Sequence, residues 1–280
     1  MSKVLKIILR IIASVLVVAV LVVGVIFIPS MPETINSSLV ISMHTDSAPR
    51  LIAHRGLSSL YPENTFPAFA GAIEYDFYAF ELDVKTTKDG KWIVFHDDDV
   101  DHMTDGTGAV EDYTFDEIRQ LKIDNGEGIE KFGELHMPSL EEVLMLCRET
   151  GGIPVIEIKG GEVEQMASLK ELLDEYEMSD TAVIISFNER YLEEYRRLDK
   201  DIEIFYLMNS LTKEDVDWCI ENNFGINFNC WLLYKNFSAI RYARENGLKI
   251  AAWTVDNPLF ADIMVSVAGA EYITTNKILP

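Results

Sequence analysis

Cysteine and basic residues are both scarce in this 280-residue chain. Its three cysteines, Cys147, Cys219 and Cys230, do not make a disulfide framework, and they neither support nor exclude export. The 24 basic residues face 46 acidic ones, which gives a net charge of −22. Such a surface repels nucleic acid, so no nucleic-acid partner is expected. It also repels phosphate esters, so a phosphate site needs local positive charge, most simply from a bound metal.

Charge is absent from residues 11–28, and Ser14 carries the only side-chain hydroxyl in that run. Eighteen such residues are about the minimum for a helix that crosses a bilayer. We therefore predict that residues 1–30 form a cytoplasmic N-terminus and a transmembrane signal anchor. The alternative is a cleaved signal peptide, whose apolar core is roughly 7–15 residues long and ends at a small-residue cleavage site. The run here is longer and offers no clear site of that kind.

Basic residues near the run predict its orientation. Lys3, Lys6 and Arg10 precede it, and the next basic residue is Arg50. Positive flanks stay in the cytoplasm. We expect a single-pass protein of the cell membrane, with its large domain on the extracytoplasmic side.

Residues 31–49 resemble a polar linker, and residues 50–280 form one domain. Predicted strands cover residues 51–54, 79–85, 153–159, 182–187, 202–207, 224–228, 249–255 and 272–275. Predicted helices cover residues 64–73, 139–148, 163–176, 189–198, 213–222, 237–246 and 259–268. This alternation favours an α/β fold, a TIM (β/α)8 barrel, with a doubly wound sheet as the alternative. A hairpin arm at 92–96 and a small insertion at about 97–136 interrupt it after the second strand.

Several carboxylates lie on predicted strands, near the C-terminal ends where the active sites of barrels are found. Glu81 and Asp83 are two residues apart, so on a strand they point to the same side. Glu157 is an inward candidate on the next predicted strand. Three such oxygens suit Mg²⁺ or Ca²⁺. The alternatives are solvated carboxylates on an edge strand, or a glycosidase pair, which would have to flank the scissile bond.

Two histidines and two cations lie at the same strand ends. His54 and His96 suit general acid–base chemistry near neutral pH, although a lone histidine is more often structural. Arg55 and Lys159 are candidates to hold phosphate oxygens.

The ordered set of motifs resembles the glycerophosphodiester phosphodiesterase family from residue 51 to the C-terminus. The matching pieces are His54-Arg55-Gly56, Pro62-Glu63-Asn64-Thr65, Glu81-Leu82-Asp83-Val84, Thr87-Lys88-Asp89-Gly90, Val94-Phe95-His96-Asp97, Met137-Pro138-Ser139-Leu140, Glu157-Ile158-Lys159, Ser186-Phe187 and Trp253-Thr254-Val255. A single His-Arg-Gly is a weak signal, whereas the whole set in order is specific.

The resemblance implies a TIM barrel, a divalent cation on the three carboxylates, and the two histidines as base and acid. It also implies phosphate contacts from Arg55 and Lys159, and Trp253 in a possible substrate pocket. Two positions depart from the family pattern. His102 occupies the place of a usual arginine in the insertion, and Asn276 ends the last strand where an aspartate is usual. We expect both departures to affect substrate preference more than activity.

The implied reaction is metal-dependent hydrolysis of a small-molecule or lipid-derived glycerophosphodiester to an alcohol and glycerol phosphate. Four alternatives remain open at this point. They are a lysophospholipase D-type activity, hydrolysis of envelope glycerophosphate polymers, a lyase that stops at a cyclic phosphate, and a non-catalytic binding barrel.

Overall fold

A computed structural model describes residues 49–279 of the chain. Its strands are β1 (Arg50–Ala53), β2 (Ala79–Thr86), β3 (Trp92–Val94), β4 (Pro154–Ile158), β5 (Val183–Ser186), β6 (Glu203–Met208), β7 (Gly225–Asn229), β8 (Ile250–Trp253) and β9 (Tyr272–Thr275). Its α-helices are α1 (Phe66–Glu74), α2 (Phe115–Ile118), α3 (Leu140–Thr150), α4 (Met166–Glu175), α5 (Glu189–Leu198), α6 (Lys213–Asn222), α7 (Leu233–Glu245) and α8 (Pro258–Ile263).

The eight parallel strands close into a barrel because β1 pairs with both β9 and β2. All eight strands predicted from the sequence are present, with bounds that differ by no more than two residues. Closure excludes the doubly wound sheet, which stays open. The short β3 pairs antiparallel with the C-terminal half of β2, outside the closed ring.

Helix starts follow from capping residues. The Thr65 side chain accepts a hydrogen bond from the Ala68 amide, so α1 begins after Thr65 rather than at the predicted residue 64. Ser139 and Glu142 form a capping box at the start of α3. The helix predicted at residues 237–246 begins earlier, at Leu233, directly after a 3₁₀ turn.

The barrel interior is filled from one end by apolar side chains. A buried cluster there comprises Ile52, Ala79, Val155, Val183, Ile185, Phe205, Leu207, Ala251 and Tyr272. Gly225 lets the Phe205 ring fill the centre, because a Cβ atom at Gly225 would lie 2.3 Å from that ring. A larger apolar cluster packs between the outer strand faces and the helices. The strands are therefore held rigidly from both sides, which fixes the positions of the side chains at their C-terminal ends.

The predicted insertion is a small irregular unit between β3 and β4. It contains α2, 3₁₀ turns at Val110–Asp112 and Ile129–Lys131, and isolated β-bridges. Its own apolar cluster packs on Ile93 and Phe95 of the hairpin arm. The insertion therefore holds the arm that carries His96.

Within residues 49–279, no helix is both long enough and apolar enough to span a membrane. The predicted anchor at residues 1–30 and all but the last residue of the predicted linker lie outside the described residues.

Candidate active site

Three carboxylates meet at the C-terminal end of the barrel interior. Glu81 and Asp83 lie on β2, and Glu157 lies on β4 directly opposite Asp83 in the strand register. One oxygen from each lies within 4.8 Å of the others, and all three residues are buried. The predicted convergence of these side chains is therefore present in the fold.

The cluster has the character of a site for a hard cation. Glu81 Oε1 and Asp83 Oδ1 are buried and accept no hydrogen bond from any residue in the described range. Burial and the charges of Asp83 and Glu157 raise the pKa of Glu81 well above its usual range. Burial and the charge of Asp83 raise the pKa of Glu157 to about 7. Buried carboxylates that repel one another and keep free oxygen atoms fit Mg²⁺ or Ca²⁺.

The loop after β1 braces two of these carboxylates. The Arg55 amide donates to Glu81 Oε2 at 2.7 Å, and Asn64 Nδ2 donates to Asp83 Oδ2 at 2.9 Å. Both loop residues have positive φ values, 56° for Arg55 and 55° for Asn64. That conformation is uncommon outside glycine, although asparagine tolerates it better than most residues. Backbone strain is thus concentrated where the loop turns its donors toward the carboxylates.

The two predicted phosphate-binding cations already have acidic partners. Arg55 Nη1 lies 2.8 Å from Glu63 Oε1, and its Nε atom lies 3.4 Å from Asp83. Lys159 Nζ lies 3.1 Å from Glu157 Oε1 and 3.9 Å from Asp83 Oδ1. Both side chains are about one-fifth exposed, so each offers charge at the mouth of the site.

His54 lies directly after β1 and contacts the end of β9. Its Nδ1 atom lies 2.8 Å from Asn276 Oδ1. Burial and the neighbouring Arg55 guanidinium lower the pKa of His54. A neutral imidazole is the form that accepts a proton.

His96 follows β3 and has a carboxylate partner instead. Its Nδ1 atom lies 2.7 Å from Asp97 Oδ1. A carboxylate offers a negative partner to a protonated imidazole, which an amide oxygen does not. His102 Nδ1 lies 3.5 Å from the other Asp97 oxygen, with its side chain 69% exposed.

Two cavities of similar volume open at opposite ends of the barrel. One, of about 580 Å³, lies at the N-terminal ends of β5 to β8, far from the carboxylates. The other, of about 600 Å³, is lined by Lys85, Lys159 and the Gly160-Gly161 turn, next to Glu157. Trp253 stands at the end of β8, where its ring packs edge-on against Phe187 at 5.6 Å. The second cavity lies at the C-terminal ends of β2 and β4, and the aromatic pair lies at those of β5 and β8.

Sequence reasoning assigned no individual role to Asn64, Asp97 or Asp256. Asn64 and Asp97 stand inside matching motifs, so their neighbours could have drawn attention to them. Asp256 gave no such signal, because its contacts with Asn276 depend on the closed barrel. Asn276, the departure from the family pattern at the end of the last strand, lies against His54.

Family membership follows from comparison with known proteins. The model of the glycerophosphoryl diester phosphodiesterase family matches residues 54–279, so this chain belongs to that family of enzymes. It is 32% identical over 234 residues to the glycerophosphodiester phosphodiesterase of Caldanaerobacter subterraneus subsp. tengcongensis, covering 81% of this chain and 93% of that protein. It is 26% identical over 261 residues to human glycerophosphodiester phosphodiesterase 1, covering 81% and 78% respectively.

Solved structures show the same fold. A phosphodiesterase from Oleispira antarctica, solved in complex with the product sn-glycerol-3-phosphate, superposes with a TM-score of 0.74. It is 24% identical and covers 81% of this chain and 93% of its own. A glycerophosphodiester phosphodiesterase from Thermotoga maritima superposes with a TM-score of 0.66 at 24% identity, covering 83% and 96%.

Proposed function

We propose that this enzyme hydrolyses glycerophosphodiesters to an alcohol and glycerol phosphate. The observation that carries the proposal is the buried cluster of Glu81, Asp83 and Glu157, with oxygen atoms free to bind a cation. The names of the relatives support the substrate class. The product bound to the Oleispira antarctica enzyme supports glycerol phosphate as one of the two products.

The three carboxylates would hold one divalent cation, Mg²⁺ or Ca²⁺. When bound, such a cation stabilises negative charge on phosphoryl oxygens. Arg55 and Lys159 would contact the remaining phosphate oxygens from the rim of the site. Their acidic partners keep them in position, and the bound cation would supply the further positive charge that an anion needs at the surface of a chain of net charge −22.

The two histidines would move the protons. His54 would take a proton from the attacking oxygen as the new P–O bond forms. That oxygen belongs to water or to a substrate hydroxyl, and in the second case water would then open the cyclic phosphate to give glycerol phosphate. His96 would give a proton to the oxygen of the leaving alcohol as the old P–O bond breaks. The partners favour this assignment, because Asn276 is a neutral acceptor for His54 and Asp97 is an anionic one for His96.

The proposal is tested by product identification with the purified full chain. Glycerophosphocholine, glycerophosphoethanolamine and glycerophosphoglycerol are offered with Mg²⁺ or Ca²⁺, and the products are identified by mass spectrometry and ³¹P NMR. Free alcohol and glycerol phosphate are expected, whereas a persistent cyclic phosphate would indicate a lyase. Glu81→Gln should be inactive, and Glu221→Gln, on the exposed face of α6, serves as the matched control.

The competing functions are less favoured. A non-catalytic barrel needs neither a pair of histidines beside the site nor carboxylates with free oxygens, and both support the enzymatic proposal. Lysophospholipids and glycerophosphate polymers belong in the same substrate panel. Turnover of either one, with none of the small diesters, would contradict the proposed substrate class.

We also propose that residues 11–28 anchor the enzyme in the cell membrane with the barrel outside. The charge-free run and the basic flank before it support this topology. Protease added to intact cells should remove the barrel and leave a tag at the N-terminus protected. A mature chain that starts near residue 30 would contradict the anchor.

A further inference from the structure

The end of β9 carries a side-chain network that reaches His54. Asn276 Oδ1 lies 2.8 Å from His54 Nδ1 and accepts a hydrogen bond from Ser58 Oγ at 3.1 Å. On its other side, Asn276 Nδ2 donates to Asp256 Oδ2 at 2.7 Å, and its backbone amide donates to Asp256 Oδ1 at 2.8 Å. Asn276 is thus clamped from both ends.

The chemistry of Asp256 decides which way the amide faces. Both Asp256 oxygens act as acceptors, Oδ1 from the Asn276 backbone amide and Oδ2 from its side chain, so the NH₂ group of Asn276 must point toward Asp256. The amide oxygen must then point toward His54. An amide oxygen accepts and does not donate, so His54 Nδ1 must carry a hydrogen. In a neutral imidazole the other nitrogen, Nε2, then keeps its lone pair.

We infer that Asn276, oriented by Asp256, is a positioning residue that fixes His54 in the tautomer whose Nε2 accepts the proton. The inference rests on the proposed function, in which His54 is the base. It gives a specific role to the position where this chain departs from the family pattern. The amide supplies the acceptor that His54 needs without adding a negative charge beside it.

The tautomer is measured directly by ¹⁵N NMR of the full chain labelled at histidine, at a pH where His54 is neutral. The wild-type protein should show a protonated Nδ1 and an unprotonated Nε2 at His54, assigned by comparison with His54→Gln. A protonated Nε2 in the wild-type protein overturns the inference outright. This measurement does not depend on turnover, so it separates a failure of the inference from a failure of the proposed hydrolysis.

Substitutions then test the role in turnover. Asn276→Leu keeps the size of the side chain and removes both hydrogen-bonding groups. We expect a mixture of tautomers at His54 and a fall in kcat of about 10-fold or more, with KM little changed, since positioned proton transfer contributes about 10²–10⁴-fold in total. Glu221→Gln, on the exposed face of α6 and away from this network, should leave both readouts near wild type. Unchanged tautomer and unchanged kcat in Asn276→Leu would overturn the inference.

A double substitution provides the rescue. The single variant Asn276→Asp places its new carboxylate against that of Asp256, so its turnover should be impaired. Adding Asp256→Asn restores an amide donor between the two side chains. The double variant should regain most of the lost kcat. It should also shift the acid limb of its kcat/KM profile to higher pH, because an anion now faces the imidazole. Arg55, Asp83 and Glu63 also face His54, and the exchange leaves all three unaltered. Double variants no better than Asn276→Leu would count against a positioning role.

Discussion

The two ends of the barrel interior are built from opposite kinds of side chain. Toward the N-terminal end, Ala79, Phe205 and Tyr272 belong to a buried apolar cluster. At the C-terminal end of the same interior, Glu81, Asp83 and neighbouring polar groups replace that cluster. The first end gains stability from burial, whereas the second concentrates like charges that repel one another. Substitutions at the two ends should therefore have different signatures, one in stability and the other in turnover.

The largest expected effect lies in the carboxylate cluster. Glu81→Ala should reduce turnover to background, because the two remaining carboxylates, Asp83 and Glu157, would not hold the cation in place. Removal of divalent cations with a chelator should have the same effect. Turnover is followed by release of glycerol phosphate, and added Mg²⁺ or Ca²⁺ should restore the chelated wild-type enzyme. Full turnover by thoroughly metal-stripped protein would show that turnover does not depend on a cation bound at the C-terminal end of the barrel.

The two histidines should show the next largest effect. His54→Ala and His96→Ala should each lower kcat by about 10²–10⁴-fold, with cation affinity little changed. A nitrophenyl phosphodiester has a leaving group that needs no proton, so His96→Ala should recover much of its rate on it and His54→Ala should not. Recovery in the His54 variant instead would reverse the two roles.

Phe205 tests the opposite end of the interior. Phe205→Ala removes a fully buried ring that contacts Tyr272 and should lower the free energy of unfolding by about 3–5 kcal/mol. Denaturant titration measures that loss. Turnover per folded molecule, at a temperature where the variant stays folded, should match the wild type. A large fall in kcat would show that the two ends are coupled.

The smallest effect concerns the metal-free protein and pH. The pKa of Glu157 is raised from 4.5 to about 7 in the fold. Its favourable contribution to folding is therefore complete below about pH 4.5 and lost as the pH rises through about 7. Glu157→Gln should be more stable than wild type at pH 8 by on the order of 1–3 kcal/mol, and nearly equal at pH 4.5. Chemical unfolding without divalent cations measures the difference, with Glu221→Gln as the control.

Much of the fold and of the carboxylate cluster could be predicted from the sequence. Strand alternation put Glu81 and Asp83 on one face, and Glu157 with Lys159 repeats the same spacing on a second strand, which pairs with the first once the barrel forms. These patterns are local, because each depends on residues two positions apart. The roles proposed for these residues stay predictions.

The orientation of the histidines could not be predicted in the same way. The partner of His54 is 222 positions away in the chain, and its amide is oriented by a third residue on another loop. Such contacts exist only once the barrel has closed. Asp97, in contrast, directly follows His96, yet nothing in the sequence states that the two side chains turn toward each other.

Closure by β1 and β9 also sets an order of events for the newly made chain. His54 emerges early from the ribosome, but Asn276 is among the last residues of the domain to be synthesised. The proposed base therefore has no partner until β9 has docked against β1. A nascent chain that still lacks its final strand would carry the cation ligands and yet lack an oriented base. Catalytic competence should thus appear only after the final strand has been synthesised and has paired with β1.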